Sequence, residues 1–159
     1  MNFVRSQPGD DPIVVKSYYA ASPAKVFKAW TDPELVVKWF GFAPNSLDSA
    51  SIDLRPGGAW RFRFPGDKES SVGFEGEYLE ILADAKLVYS WAHVTEHANG
   101  DREVTPSSQV EVTFLSKGSG TDVRLVHTGI STEDARLGVG GGWDSAFSHM
   151  ADVLEELPG

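Results

Sequence analysis

Four histidines, arginines and glutamates at alternating positions, and many serines are the groups through which this chain could do chemistry. His93, Glu96 and His97 invite comparison with a metal cluster. They sit, however, in a stretch that alternates like a strand and runs into Asn99-Gly100, so the spacing of four does not bring the two rings to one ion as it would on a helix. No metal site is expected there, and no cofactor. His127 shares the parity of Val123 and Leu125. It reads either as a hydrogen-bonded core histidine or as a polar group pointing into a cavity.

Arg61 and Arg63 alternate in one stretch, and Glu75 and Glu77 fall at matching parity in the next. Cross-strand ion pairs worth a few tenths of a kcal/mol each are the expected role. As catalysts the glutamates would need burial to raise their pKa, and no sequence feature supplies it. No Gly-x-Ser-x-Gly elbow surrounds any serine, which argues against a serine hydrolase. The glycines at 138, 140, 141 and 142 are followed by no Lys-Ser/Thr pair and preceded by no buried strand, so they are no phosphate loop. They allow close backbone packing or a kink, or else form a pliable rim over a cavity. No catalytic constellation emerges.

The element that must position these groups is the longest stretch with one hydrophobic period. Val139, Trp143, Ala146, Phe147, Met150, Val153, Leu154 and Leu157 recur at steps of three and four, which predicts a helix from about Thr132 to Leu157. Ser131 or Thr132 can cap it, Glu133 and Asp134 suit its first turn, and Pro158-Gly159 stops it. Its aromatic stripe requires a large apolar partner surface.

That surface comes from segments of period two. Ile13 to Ala20 reads as a first strand, and Ser22-Pro23 and Asp32-Pro33 each start a short helix. Ser51 to Leu54, the turn Arg55-Pro56-Gly57-Gly58 and the run Trp60 to Phe64 predict a hairpin. Further strands are expected at Gly73 to Ile81, Lys86 to Thr95, Ser108 to Leu115 and Thr121 to Thr128. The order is β-α-α-β6-α. Trp60, Phe62, Phe64, Leu87, Tyr89, Trp91 and His93 are assigned to the inner face, with Val110, Val112 and Phe114. This is an α+β chain with an antiparallel curved sheet around a long C-terminal helix.

The 159 residues suit a single domain, 1–159, with residues 1–12 as a flexible N-terminal arm. A net charge of -9 argues against nucleic acid as a partner. The absence of cysteine excludes disulfides, thiolate metal sites and a cysteine nucleophile. No run approaches a membrane span and the N-terminus has no signal-like core, so no membrane insertion and a cytoplasmic location are expected.

Ala21-Ser22-Pro23 with Val26-Phe27, Ala29-Trp30-Thr31-Asp32-Pro33 and Lys38-Trp39-Phe40-Gly41 resemble the opening signature of the family named after the activator of the heat-shock-protein-ninety ATPase, in the START-like (SRPBCC) superfamily. Pro56-Gly57-Gly58 with Trp60-Arg61-Phe62, Phe74 to Glu80, Leu87 to Trp91, His127-Thr128-Gly129 and Gly142-Trp143 extend the likeness. The resemblance implies the helix-grip fold and an apolar cavity between sheet and long helix. Binding of a small hydrophobic molecule there is the expected function, ahead of an enzyme. The alternatives are a polyketide cyclase or aromatase-like activity and a chaperone ATPase-activator-like role; a protein partner or homodimer stays open. The expected ligand contacts are Trp60, Phe62, Tyr89, Trp91 and Phe114 from the sheet, Trp143 and Phe147 from the helix, Trp39 and Phe40 at one mouth, and His127 as the polar contact.

Overall fold

Period two builds the sheet. In the computed structural model, which describes residues 3–157, the strands are β1 (Phe3–Arg5), β2 (Ile13–Tyr19), β3 (Ser49–Ile52), β4 (Ala59–Arg63), β5 (Ser70–Leu82), β6 (Lys86–His97), β7 (Arg102–Val104), β8 (Ser108–Lys117) and β9 (Gly120–Thr128). They form one antiparallel sheet in the order β1-β2-β9-β8-β6-β5-β4-β3, with β7 on β6. The edge of β6 changes partner along its length: Lys86 to Trp91 pair with β8, and Val94 to Glu96 pair with β7. The connection between those two partners, Thr105 to Ser107, therefore sits where the sheet edge opens. It is held there by a bond from the His93 N–H to Thr105 Oγ1 (2.9 Å) and one from the Thr105 N–H to the His93 carbonyl (3.0 Å).

Two short helices close one end. Ser22 and Asp32 cap α1 (Pro23–Thr31) and α2 (Pro33–Trp39), each with proline in the first turn. The Trp39 indole donates to the Ala29 carbonyl at 2.9 Å and ties the pair together. Helix α3 (Glu133–Glu156) begins at Thr132, whose side chain accepts from the Ala135 N–H. Its 24 residues span about 36 Å and bury Gly140, Trp143, Ala146, Phe147, Met150, Val153 and Leu154 against the sheet. Pro158 and Gly159, expected to stop it, lie outside the described residues. Among the described residues no helix is long and apolar enough to cross a membrane.

Two strands were not anticipated. The arm expected to be flexible instead lies along the sheet, with Phe3, Val4 and Arg5 paired to Ser17, Lys16 and Val15. The unpaired backbone groups of an edge strand are the reason, since β2 needs a partner on that side. Side chains reinforce the pairing: Arg5 forms an ion pair with Asp144, and Arg136 donates to the Gly9 carbonyl at 2.6 Å. Met1 and Asn2 lie outside the described residues. The other addition, β7, carries only Arg-Glu-Val and has no apolar alternation to announce it.

The inner-face residues named from parity are the ones the sheet buries or half-buries: Trp60, Phe62, Leu87, Tyr89, Trp91, Val110, Val112, Phe114, Val123, Leu125 and His127 are buried, and Phe64 and His93 half-buried. On the outer face Glu75 accepts from Arg61, Arg63 and Arg102, and Arg63 also reaches Glu96 at 2.7 Å. Burial works to raise the Glu75 carboxyl, but the bond from Arg63 and the charges of Arg102, Arg61 and Arg63 outweigh it and hold it below the usual range. Glu75 thus takes the ion-pair role expected of it.

Candidate functional site

A cavity of about 530 Å³ opens between the N-terminal half of α3 and the end of the sheet where β6 changes partner. The sheet contributes Phe74 from β5, Trp91 and His93 from β6 and Ser108 from β8; Phe64 follows β4. Opposite them α3 contributes Ala135, Gly138, Val139, Gly142 and Trp143, and Phe40 to Phe42 come from the segment after α2. The physical reason for the opening is the glycine run. Gly138 has open space where a Cβ would be, and a Cβ on Gly141 or Gly142 would meet only the ring of Phe42, at 3.5 and 3.8 Å. Phe42 itself is 67% exposed and lies at the mouth.

A hydrogen-bonded chain joins three lining residues of one wall, Trp143, Ser108 and Trp91, through His127 behind them. The Trp143 indole N–H donates to His127 Nδ1 at 3.1 Å, His127 Nε2 lies 2.8 Å from Ser108 Oγ, and that hydroxyl donates to the Trp91 carbonyl at 3.3 Å. An indole can only donate, so Nδ1 must accept and the ring's hydrogen must sit on Nε2. Burial pushes the ring's pKa down to about 3, against the pull of Asp11, which keeps the imidazole neutral.

That tautomer decides the chemistry. A serine is activated when a histidine nitrogen accepts its hydrogen, with the other ring nitrogen donating to an orienting group. Here the polarity is reversed: Nε2 donates to Ser108 and Nδ1 accepts. The pair stands at the distance of a nucleophile and its base but with the proton on the wrong nitrogen.

Of the ten expected contacts, Phe40, Trp91 and Trp143 line the cavity. Trp39, Trp60, Phe62 and Tyr89 do not; with Trp30, Tyr78 and Leu87 they close around a void of about 10 Å³. Phe114 packs edge-on against Phe27 at 5.6 Å, and Phe147 against Trp30 at 6.0 Å. His127 is 1% exposed and lies behind Trp91 and Trp143 rather than on the wall. Placing the pocket among all ten is therefore corrected. The reason is Trp30, which stacks on Trp143 and leans on Trp39, filling the space that parity alone leaves between sheet and helix.

Sequence reasoning passed over Phe42, Phe74 and Ser108. Ser108 had a signal, since it shares the parity of Val110, Val112 and Phe114. Phe74 pairs with Phe62 in register and was hidden by a glycine-rich, acidic strand. His93 and His97 separate: His93 meets Phe74 edge-on at the cavity, and His97 faces Glu103 at 3.0 Å.

A family model described as Activator of Hsp90 ATPase homolog 1-like protein matches residues 20–155. The chain belongs to this family. Solved structures sharing its fold include CalU16 from Micromonospora echinospora, 24% identical over 98% of this chain and 88% of that one, with a TM-score of 0.67. A protein from Nitrosomonas europaea is 22% identical over 92% and 95%, at 0.73, and one from Rhodobacter sphaeroides 18% identical over 98% and 100%, at 0.76. At such identities the likeness establishes the helix-grip fold and nothing finer. No curated protein matches significantly in sequence. Within this activator-homologue family the chain's own cavity is thus the guide to what it does.

Proposed function

We propose that the protein binds one small hydrophobic molecule in the cavity between α3 and the sheet. The observation that carries this reading is a preformed apolar space of about 530 Å³, within the range that encloses a drug-sized ligand, beside which the aromatic cluster around Trp60 leaves a void of only about 10 Å³. Phe40, Phe64, Phe74, Trp91 and Trp143 supply the apolar contact, and no Lys, Arg, Asp or Glu is among the lining residues. Support for binding over catalysis comes from His127, whose neutral ring is engaged at both nitrogens and offers no free base.

The test uses a neutral solvatochromic naphthyl dye. Because Trp91 and Trp143 line the space, binding should quench tryptophan emission and shift the dye's emission to the blue. A Gly142→Leu variant, which puts a side chain between α3 and Phe42, should weaken both signals about tenfold or more. Equal binding by variant and wild type would place the dye elsewhere and defeat the reading.

A further inference from the structure

We propose that Ser108 is the specificity-determining contact of this cavity, an acceptor that selects a neutral apolar ligand bearing a hydroxyl or N–H donor. The proposal rests on the binding function above and names the class of molecule that the site takes.

It follows from counting hydrogens and lone pairs around one oxygen. A serine hydroxyl has one hydrogen to donate and two lone pairs. Because Trp143 can only donate to His127 Nδ1, the hydrogen on Nε2 points at Ser108 Oγ and occupies one lone pair. The hydroxyl's own hydrogen has an acceptor in the Trp91 carbonyl. One lone pair is left on a residue that lines the cavity together with Trp91 and Trp143. A ligand O–H or N–H placed there completes the serine's bonding. An ether or ketone oxygen meets acceptor with acceptor and gains a bond only by taking the hydrogen away from Trp91.

Of the other polar side chains on the wall, Thr105, Ser131 and Thr132 are exposed to solvent, unlike the buried Ser108. Thr105 Oγ1 accepts from the His93 N–H, and Thr132 Oγ1 accepts from the Ala135 N–H at the start of α3. His93 is half-buried, with its ring edge-on to Phe74. A carboxylate would enter a space with no lysine or arginine on its lining and with Glu133 and Asp134 in the adjoining helical turn, so a neutral ligand is favoured.

Three probes of nearly one shape separate the possibilities: a naphthol, its methyl ether and the corresponding naphthoate, each titrated into the full chain at neutral pH with tryptophan quenching and calorimetry. The wild type should bind the naphthol about tenfold tighter than the ether, with the naphthoate weakest. In Ser108→Cys, which keeps the shape with a slightly larger atom but accepts weakly, the naphthol-to-ether ratio should fall towards one while ether binding holds. Equal affinity for naphthol and ether in the wild type overturns the proposal without recourse to any variant. A ratio that survives in folded Ser108→Cys, or naphthoate binding tightest, overturns it too, the latter pointing to His93 as the polar contact. Binding of none of the three removes the cavity reading itself, an outcome distinct from loss of the preference alone.

Discussion

Around Phe147 and around Gly142, successive turns of α3 face the same sheet and end differently. At Phe147 the gap is closed by rings from three sources: Tyr19 on β2, Trp30 on α1 and Phe147 itself, with the Tyr19 hydroxyl donating to the Phe147 carbonyl at 2.7 Å. At Gly142 the helix presents little beyond backbone, and the opposing aromatic side chains of the sheet are left facing open space. Both regions are aromatic, so composition does not distinguish them. Side-chain volume on the helix does, together with the reach of α1 and α2, whose rings fill one end. The lesson is that a cavity in this fold is made by omission on the helix, more than by any special set of residues on the sheet.

The largest effects should come from the filled end. Phe147→Ala and Trp60→Ala each remove a side chain at most 1% exposed and should cost about 3–5 kcal/mol in urea unfolding. Phe42→Ala at the open end, where the ring is mostly in solvent, should cost less than about 1 kcal/mol. Similar losses at both positions would mean that the two ends are packed alike.

The wall between them carries the next effect. His127 has a folded pKa near 3 against an ordinary 6.5, so between those values the unfolded chain holds a proton that the folded one does not. Stability should therefore fall as pH drops below 6.5, by up to about 1.4 kcal/mol per unit, or roughly 2 kcal/mol by pH 5. Above pH 6.5 this group contributes no slope. His127→Gln should flatten the upper part of that acid limb; an unchanged profile would show that the ring is not held neutral between Trp143 and Ser108.

At the open end the sign reverses. Gly138→Ala adds a Cβ with nothing within 4 Å, and removing a glycine from a helix interior is worth up to about 1 kcal/mol. Gly140→Ala should gain less, because its Cβ would meet Arg5 at 3.3 Å and Ile13. Thermal unfolding of the two variants checks the difference. If Gly138→Ala destabilises, the glycine run is packed against something rather than left open.

Much of this architecture was legible. The steps of three and four through Trp143, Phe147 and Met150 gave α3 its length and its buried face, and parity gave the inner face from Trp60 to His127. The glycine run beside Trp143 marked the helix side of the cavity, but the cavity's sheet side was not legible. It depends on β6 exchanging β8 for β7 near His93 and on Trp30 occupying the space beside Trp143, both long-range facts that no local period encodes. His127 combined the two readings open to it, a satisfied core histidine whose satisfaction sets the hydrogen-bonding sense of the cavity wall. Ser108 stood at an inward parity, but a serine at a strand start has too many uses for spacing alone to single it out.

The smallest effect concerns whether the open end is propped from outside. Arg102 on β7 donates to Glu75 at 2.6 Å across the outer face, and β7 leads directly into the Thr105-Pro106 side of the cavity. Arg61 and Arg63 remain on the same carboxylate when Arg102 is removed, and the Arg102 side chain is 40% exposed. Arg102→Ala should then cost less than about 1 kcal/mol, diminish further in high salt, and leave dye affinity within about twofold of wild type. A loss several times larger, or a collapse of binding with the fold intact, would show that the mouth is held open by charge on the far face. The contrast between the two turns of α3 would then be only part of the reason that a cavity exists.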